Sequence, residues 1–420
     1  MNVLVFEDQE VDQLRPLTLP RPAYSISCAS FRLIDWLLED ASCLVGWVRP
    51  HLEALQPLDY PGLAERLDPA HQWTLVVNAR LVPAIDNVHR MRSLGSMPLN
   101  QPMRAQGVWS GESLAAAVLP TDALGTLQGD RVAGLHALAA DLPSPAEVSL
   151  RLFNYPHEVI VENGAVFAAN LDHRIQTGSY QNYPRHSGVY LGKNVQLSSE
   201  VVFDTSAGPV VIDDRVQVGP FTYFRGPVYV GPGSRISEHA SIKDRVAVGH
   251  TCKIGGEVED TILEPYSNKQ HHGFLGHSYL GSWINLGAGT CNSDLKNTYG
   301  TVNMDYSCGR VSTGQQFVGC VVGDYAKTAI NTSIFTGKVI GVASMVYGFA
   351  TTNVPSFMNY ARTFGEFGTL PPEVIVTTQR RMFARRNVVQ RASDIQLLHD
   401  MFELTAGERP EGLSGDPLAL

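Results

Sequence analysis

The stretch IDDRVQ VGPFTY FRGPVY VGPGSR ISEHAS IKDRVA VGHTCK I, residues 212–254, decides how the chain is read. An aliphatic or phenyl side chain stands at Ile212, Val218, Phe224, Val230, Ile236, Ile242, Val248 and Ile254, an unbroken period of six. Two residues before each sits a small or β-branched one: Val210, Val216, Thr222, Val228, Ser234, Ala240, Val246 and Cys252. A helix repeats at 3.6 and a strand at 2, so a period of six requires a larger unit. In a hexapeptide coil each six residues form one short strand and one turn, and three such faces close a triangle. Stacked coils then bury the repeated side chain in a narrow prism. An antiparallel sandwich with regular turns is the alternative, but nothing in that fold enforces so strict a period.

Outward from this stretch the pattern persists with breaks. After Ile254 it slips by two and resumes at Ile262, Asn268, Phe274, Leu280 and Leu286. A tract without the period covers roughly 290–316, and the repeat returns at Val322, Thr328, Ile334, Ile340 and Val346. A coil can expel an insertion only outwards, so a loop lining a binding face is expected at this break. Residues 186–350 are accordingly read as a left-handed parallel β-helix. Residues 1–185 mix apolar runs at 2–6 and 73–77, expected as strands, with helical spacing at 31–38 and 113–119. They read as an open α/β domain. Residues 351–420 form a C-terminal arm, expected as a helix over 371–404 that carries Arg380, Arg381, Arg385, Arg386 and Arg391.

Composition narrows the partners. A formal charge of −9 argues against nucleic acid, whose phosphates need a basic surface. Six cysteines form no C-x-x-C pair and read as reduced thiols of a cytoplasmic protein. The opening MNVLVFEDQE has no basic stretch before an apolar run, and no apolar run nears the roughly 18 residues of a membrane span. Neither export nor a membrane is expected. The tail after Gly407 reads as disordered.

Residues 15–35, RPLTLPRPAYSISCASFRLID, resemble the signature of the sugar-phosphate nucleotidyltransferases through Arg15, Pro16, Leu17, Thr18, Pro22, Leu33, Ile34 and Asp35. The departures are specific. Where that family has a glycine-rich loop whose bare amides wrap phosphates, residues 7–12 read EDQEVD. The family's lysine position falls on Ala23, and the strand whose aspartate holds magnesium reads Asn78, Ala79, Arg80. The resemblance leaves two readings open. One is a degenerate domain, now structural or sugar-binding; the other is an active one in which Arg15, Arg21 and Arg80 hold nucleotide phosphates, with or without Mg²⁺.

Residues 267–297, SNKQHHGFLGHSYLGSWINLGAGTCNSDLKN, resemble the acetyltransferase half of the bifunctional N-acetylglucosamine-1-phosphate uridylyltransferases. Gly276, His277, Tyr279, Leu280 and Gly281 match one motif. Asn285, Gly287, Ala288, Gly289, Thr290, Cys291, Asn292, Asp294 and Lys296 match the next. The resemblance implies transfer of an acetyl group from acetyl-CoA to an amino-sugar phosphate, with His277 as the base that takes the amine proton. It further implies that Tyr279, Asn285 and Asn292 touch substrate, that Lys269 and Lys296 grip phosphate, and that the protein is a homotrimer. Arg380, Arg381, Arg385 and Arg386 read either as a solvated face paired with neighbouring carboxylates or as candidates for the phosphates of coenzyme A or of a nucleotide. Here too the chain departs: Tyr279 follows its histidine by two residues instead of three, and the span from His277 to Asn285 is one hexapeptide shorter. His271 or His272, one repeat earlier, could therefore replace His277. No carboxylate or cysteine lies among these three histidines, so no metal site is expected there. A sugar-nucleotide-binding scaffold without turnover is the non-enzymatic alternative.

Overall fold

The computed structural model describes residues 1–95, 103–145 and 148–410. The chain forms two compact units, one of residues 1–14, 21–27 and 31–154, the other of residues 15–20, 28–30 and 155–420. The expected tail lies, from residue 411 onwards, outside the described residues. No helix among the described residues is long and apolar enough to cross a membrane.

The first unit is the expected open α/β sheet. Strands β1 (Asn2–Phe6), β2 (Cys43–Trp47) and β3 (Trp73–Asn78) run parallel, and β4 (Gln106–Ser110) and β5 (Ser113–Pro120) complete the order β2-β1-β3-β5-β4 with antiparallel pairing. Helices α1 (Leu33–Asp40), α2 (Gln56–Asp59), α3 (Ile85–Gly95), α4 (Thr121–Gly125) and α5 (Arg131–Ala139) accompany them. On one face Leu4, Phe6, Val76, Ala117 and Leu119 pack with Leu135 and Ala139. The short helix expected over 113–119 is instead β5. All seven of those residues are buried between β3 and β4, and burial within the sheet outweighs the helix preference of an alanine run.

The main segment of the second unit opens with α6 (Pro156–Thr177), which precedes residue 185 yet belongs to the same compact unit as the solenoid. The strands of the solenoid are two to four residues long and pair in parallel from coil to coil, as Val210–Ile212 does with Val228–Val230 and that strand with Val246–Val248. One face runs from Val189–Leu191 to Lys338–Ile340 and the second from Gln196–Leu197 to Met358–Ala361. The third runs from Val202–Asp204 to Phe274–Gly276 and continues with Cys291–Asn292. The period-six residues Ile212, Val218, Phe224, Val230, Ile236, Ile242, Val248 and Ile254 form one buried column cluster. Each such side chain contributes roughly 1.5–3 kcal/mol by leaving water.

Beyond Ile254 the register differs from the expected slip of two. Glu257 pairs with Ser241 and Ala247 with Ile262, so the coil is shorter than the 18 residues that separate Val228 from Val246. The inward positions become Val258, Leu263, Lys269, Leu275, Leu280 and Leu286. Ile262, Asn268 and Phe274 lie one residue off the column. Lys269 thus takes the register position that Ile254 fills one coil earlier. It is buried, and its ammonium donates to the Gly255 carbonyl (2.8 Å) and the His271 carbonyl (2.8 Å).

Two helices close the arm where one was expected. α7 (Pro372–Ala384) docks on the solenoid through Phe383, 4.5 Å from the Trp283 ring, and α8 (Ala392–Leu404) follows a break. In that break Asn387 takes the left-handed backbone (φ 56°), which stops α7. The Asp394 carboxylate then caps the backbone N–H of Arg391 at 2.7 Å to start α8.

Burial holds the Lys269 pKa down to about 8. The unfolded chain, with lysine near 10.4, therefore binds the extra proton in between, and folding gains as pH rises through that window. Relative to Lys269→Met, the wild type should gain about 3 kcal/mol between pH 8 and 10.4 in denaturant titrations. A pH-independent gap would refute the buried-amine assignment.

Candidate active site

His277 stands at the corner between the third-face strand Phe274–Gly276 and the first-face strand Tyr279–Leu280. Its backbone is left-handed (φ 45°), a conformation histidine adopts more readily than β-branched residues. The imidazole lies between two carboxylates, with Nδ1 2.8 Å from Asp294 Oδ2 and Nε2 3.4 Å from Asp260 Oδ2. Phe317 stacks on the ring at 5.3 Å and is itself exposed, so the site opens towards solvent on that side. Burial opposes a charged ring. The hydrogen bond to Asp294 and the charges of Asp260, Asp294 and Glu259 overcome it, and the His277 pKa lies above the ordinary histidine value. Asp260 is in turn gripped by the Arg245 guanidinium, whose Nε donates to Oδ1 at 2.6 Å, and the Asn163 amide of α6 donates to the Arg245 carbonyl at 2.9 Å.

The break in the repeat builds this site. The segment expelled between Asp294 and Gly319 contains an antiparallel hairpin, Asn303–Tyr306 with Gly309–Ser312. Its ends are pinned by Val318 N–H to the Asp294 carbonyl (2.9 Å), Gly319 N–H to the His277 carbonyl (2.8 Å) and a bridge between Leu295 and Phe317. One end of the loop therefore delivers Asp294 to His277, and the other delivers Phe317. The hairpin tip is tied to α6, where Tyr306 shares hydrogen bonds with the His157 backbone and ring and stacks with Tyr155 and His157. Asp260 was not singled out from the sequence. The signal was the coil length, since Asp260 and Asp294 each lie 17 residues from His277, one coil either way.

The other expected site residues are dispersed around the prism. Asn292 is buried on the third face, where its amide accepts from Gly276 N–H (2.9 Å) and donates to the Gly276 carbonyl (3.0 Å). It replaces the backbone ladder that is missing between these coils. The Tyr279 hydroxyl donates to Glu264 at 2.7 Å in a buried pair on the first face. Lys269 is committed to two carbonyls inside the prism, so the phosphate grip expected of it does not match its position. Lys296 binds the Thr301 carbonyl within the expelled loop (3.1 Å). Asn285 is exposed on the second face, beside Asn268, and is separated from His277 by a corner. His271 and His272 are exposed. Of the α7 arginines, Arg380, Arg381 and Arg385 are exposed and Arg386 donates to Asn268 Oδ1 at 2.6 Å.

In the first unit the acidic run after β1 turns inward. Glu7 accepts from Ala23 N–H (2.9 Å), Arg49 N–H (3.0 Å) and Arg49 Nε (3.0 Å). Arg80 is fully buried: Nε and Nη2 fork onto Asp8 (2.8 and 2.7 Å), Nη2 also reaches Ser113 Oγ, and Nη1 donates to the Phe153 carbonyl and Asn154. All five guanidinium N–H groups are engaged. The phosphate role expected of Arg80 is therefore not open to it. Asn78 donates to the same Asp8 carboxylate at 2.7 Å. The residues at this place, an amide and a guanidinium already closed on the one buried aspartate, do not fit a magnesium ion. Arg15 lies in the second unit and donates to the Leu404 carbonyl at 3.2 Å, and the Arg21 carbonyl accepts from Arg49.

Known proteins resemble the chain in parts. It is 27% identical over 201 residues to a bifunctional sugar-1-phosphate nucleotidylyltransferase/acetyltransferase of Sulfurisphaera tokodaii, covering 43% of this chain and 49% of that one. It is 31% identical over 121 residues to the bifunctional protein GlmU of Cupriavidus pinatubonensis, covering 28% and 26%. The chain thus spans about half the length of the first relative and about a quarter of the second. Among solved structures, the Arabidopsis UDP-N-acetylglucosamine acyltransferase aligns over 57% of this chain and 86% of its own, with 14% identity and a TM-score of 0.22. Residues 3–177 match the sugar nucleotidyl transferase family, and in this chain that stretch is followed by a parallel β-solenoid.

Proposed function

We propose that the chain is a transferase whose solenoid moves an acyl group, with acetyl the first to test, from coenzyme A to the amine of an amino-sugar phosphate or sugar nucleotide. The observation that carries this reading is the imidazole of His277, fixed by Asp294 and faced by Asp260 at a solvent-facing corner. The neutral ring takes a proton from the attacking amine, the new C–N bond forms at the thioester carbonyl, and the C–S bond breaks. The departing thiolate takes up the proton. Asp294 fixes the ring orientation through Nδ1, and Arg245 holds Asp260 in place. Asn285 stands on a different face of the same prism from His277, across a corner. This supports a homotrimer in which sites form between neighbouring prisms, as does the candidate role of Arg380 and Arg381 in holding coenzyme A. Lys296 remains the candidate for a sugar phosphate, since the expelled loop carries it.

The first unit we read as a nucleotidyl transferase fold that no longer transfers nucleotides. Its phosphate and metal positions are filled by the Arg80–Asp8–Asn78 cluster. The alternative, a sugar-nucleotide-binding scaffold, differs in releasing no thiol from acetyl-CoA with any sugar phosphate.

His277→Ala should lower turnover by about 10²–10⁴, the usual loss of a positioned base, with an unchanged melting temperature. Free-thiol release from acetyl-CoA measures it, and full activity in this variant together with loss in His272→Ala would move the site one repeat earlier. Because the base must be neutral and its pKa is raised, activity should climb with pH through a value above the ordinary 6.5. Asp294→Asn should move that limb to lower pH. Light scattering at micromolar concentration should give a trimer; a monomer would leave the site incomplete and count against acyl transfer. Pyrophosphate release from UTP with an N-acetylated sugar phosphate and magnesium should stay at background, and ordinary enzyme rates would overturn the degenerate reading.

A further inference from the structure

The second face of the solenoid carries a polar ladder on its outer side, in register from strand to strand: Gln217, Arg235, Lys253, Asn268, Asn285, Lys327. α7 lies over only part of it. Lys327 donates to Met382 Sδ and Arg386 to Asn268, so the last turn of the helix touches these two rungs, leaves Asn285 between them exposed, and ends there. The next two rungs, Arg235 and Lys253, are left uncovered beside the helix end, where Arg385 and Arg386 stand. Four cations are thus gathered at one place. Among the described residues none of the four has a carboxylate partner, although Arg225, Lys243 and Arg245 on the third face are all paired with acids. Burial lowers the Lys253 pKa, the charges of Arg386, Arg385 and Arg235 lower it further, and no carboxylate acts on it to oppose them. The C-terminal end of α7 accounts for a favourable position for one or two arginines, through its dipole, but not for a lysine and an arginine on the solenoid.

We propose that Arg235, Lys253, Arg385 and Arg386 form an anion site for the phosphate groups of a small molecule. A pair of adjacent rungs about 4.8 Å apart matches one diphosphate in size. The patch is too short for a nucleic-acid backbone, and the chain is acidic as a whole. Two sources share this chemistry, the diphosphate of a nucleotide and the isolated ribose phosphate of a coenzyme. The site stands on a different face from His277, and the inference does not depend on acyl transfer there.

Titration calorimetry of the full chain with inorganic pyrophosphate at low salt tests it. The wild type should bind saturably, with affinity falling as salt rises. Lys253→Gln with Arg385→Gln should weaken binding about tenfold or more, as expected for losing charge-assisted contacts. That variant leaves the Arg386–Asn268 bond in place. Without ligand it should melt no lower than the wild type, because only mutually repelling charges are removed, and pyrophosphate should raise the wild-type melting temperature but not its own. ADP compared with coenzyme A and 3′-dephospho-coenzyme A identifies the source: equal binding of the two coenzymes points to the diphosphate, and loss with the dephospho form to the ribose phosphate. Absence of saturable pyrophosphate binding, or binding by the variant equal to wild type, would overturn the site.

Discussion

Parallel pairing between successive coils is the constraint on which the second unit depends. Each strand is too short to hold its place alone, so its position is set by the coil before it and the coil after it. Side chains separated by one coil then become neighbours in space whatever the chain does between them. Columns form of necessity: an aliphatic column inside, a polar ladder on the outside of the second face, an apolar and aromatic one on the outside of the first, and corner positions stacked above one another. Tyr266 and Trp283, stacked at 4.1 Å with rings 2° apart, are such a corner pair. The Asp260–His277–Asp294 row is another product of the same rule, since three residues on three coils meet because the ladder aligns them.

The same rule separates the features that were legible in the sequence from those that were not. The aliphatic column was legible because hydrophobic burial imposes one residue class at every sixth position. His277 was legible because its neighbours in the chain carry a motif. Asp260 was not, because its relation to His277 depends on the length of a coil, and that coil has 17 residues where the one from Val228 to Val246 has 18. Residues lost at two turns, after Ile254 and after Glu259, moved Lys269 from an expected surface into the prism, where its chemistry changes from gripping an anion to solvating carbonyl groups. Ser113 to Leu119 failed for a different reason: an alanine-rich run favours helix locally, and only the neighbouring strands make it the centre of a sheet.

In the first unit the contrast is between a loop that binds phosphate with bare amides and one that supplies carboxylates to its own domain. Glu7 and Asp8 follow β1 directly and are both buried, each closed on an arginine brought from elsewhere in the same unit. A buried pair of this kind is costly to break from either side, because the partner left behind has no water to receive it.

The expelled loop between Asp294 and Gly319 joins the solenoid at its base, where backbone hydrogen bonds fix both ends on neighbouring rungs, and again further out, where the Asn353 amide donates to the Asp305 carbonyl at 2.7 Å and Val302 and Met304 are buried. Closing a flexible loop depends weakly on its length, each doubling adding only about 0.6 kcal/mol. Only the exposed turn of its hairpin, residues 307–310, is therefore free to lengthen or change its sequence at little thermodynamic expense while the imidazole and its two carboxylates stay where they are. Selection can alter that turn without rebuilding the chemistry held at the corner, which makes it an adjustable tip on a fixed frame.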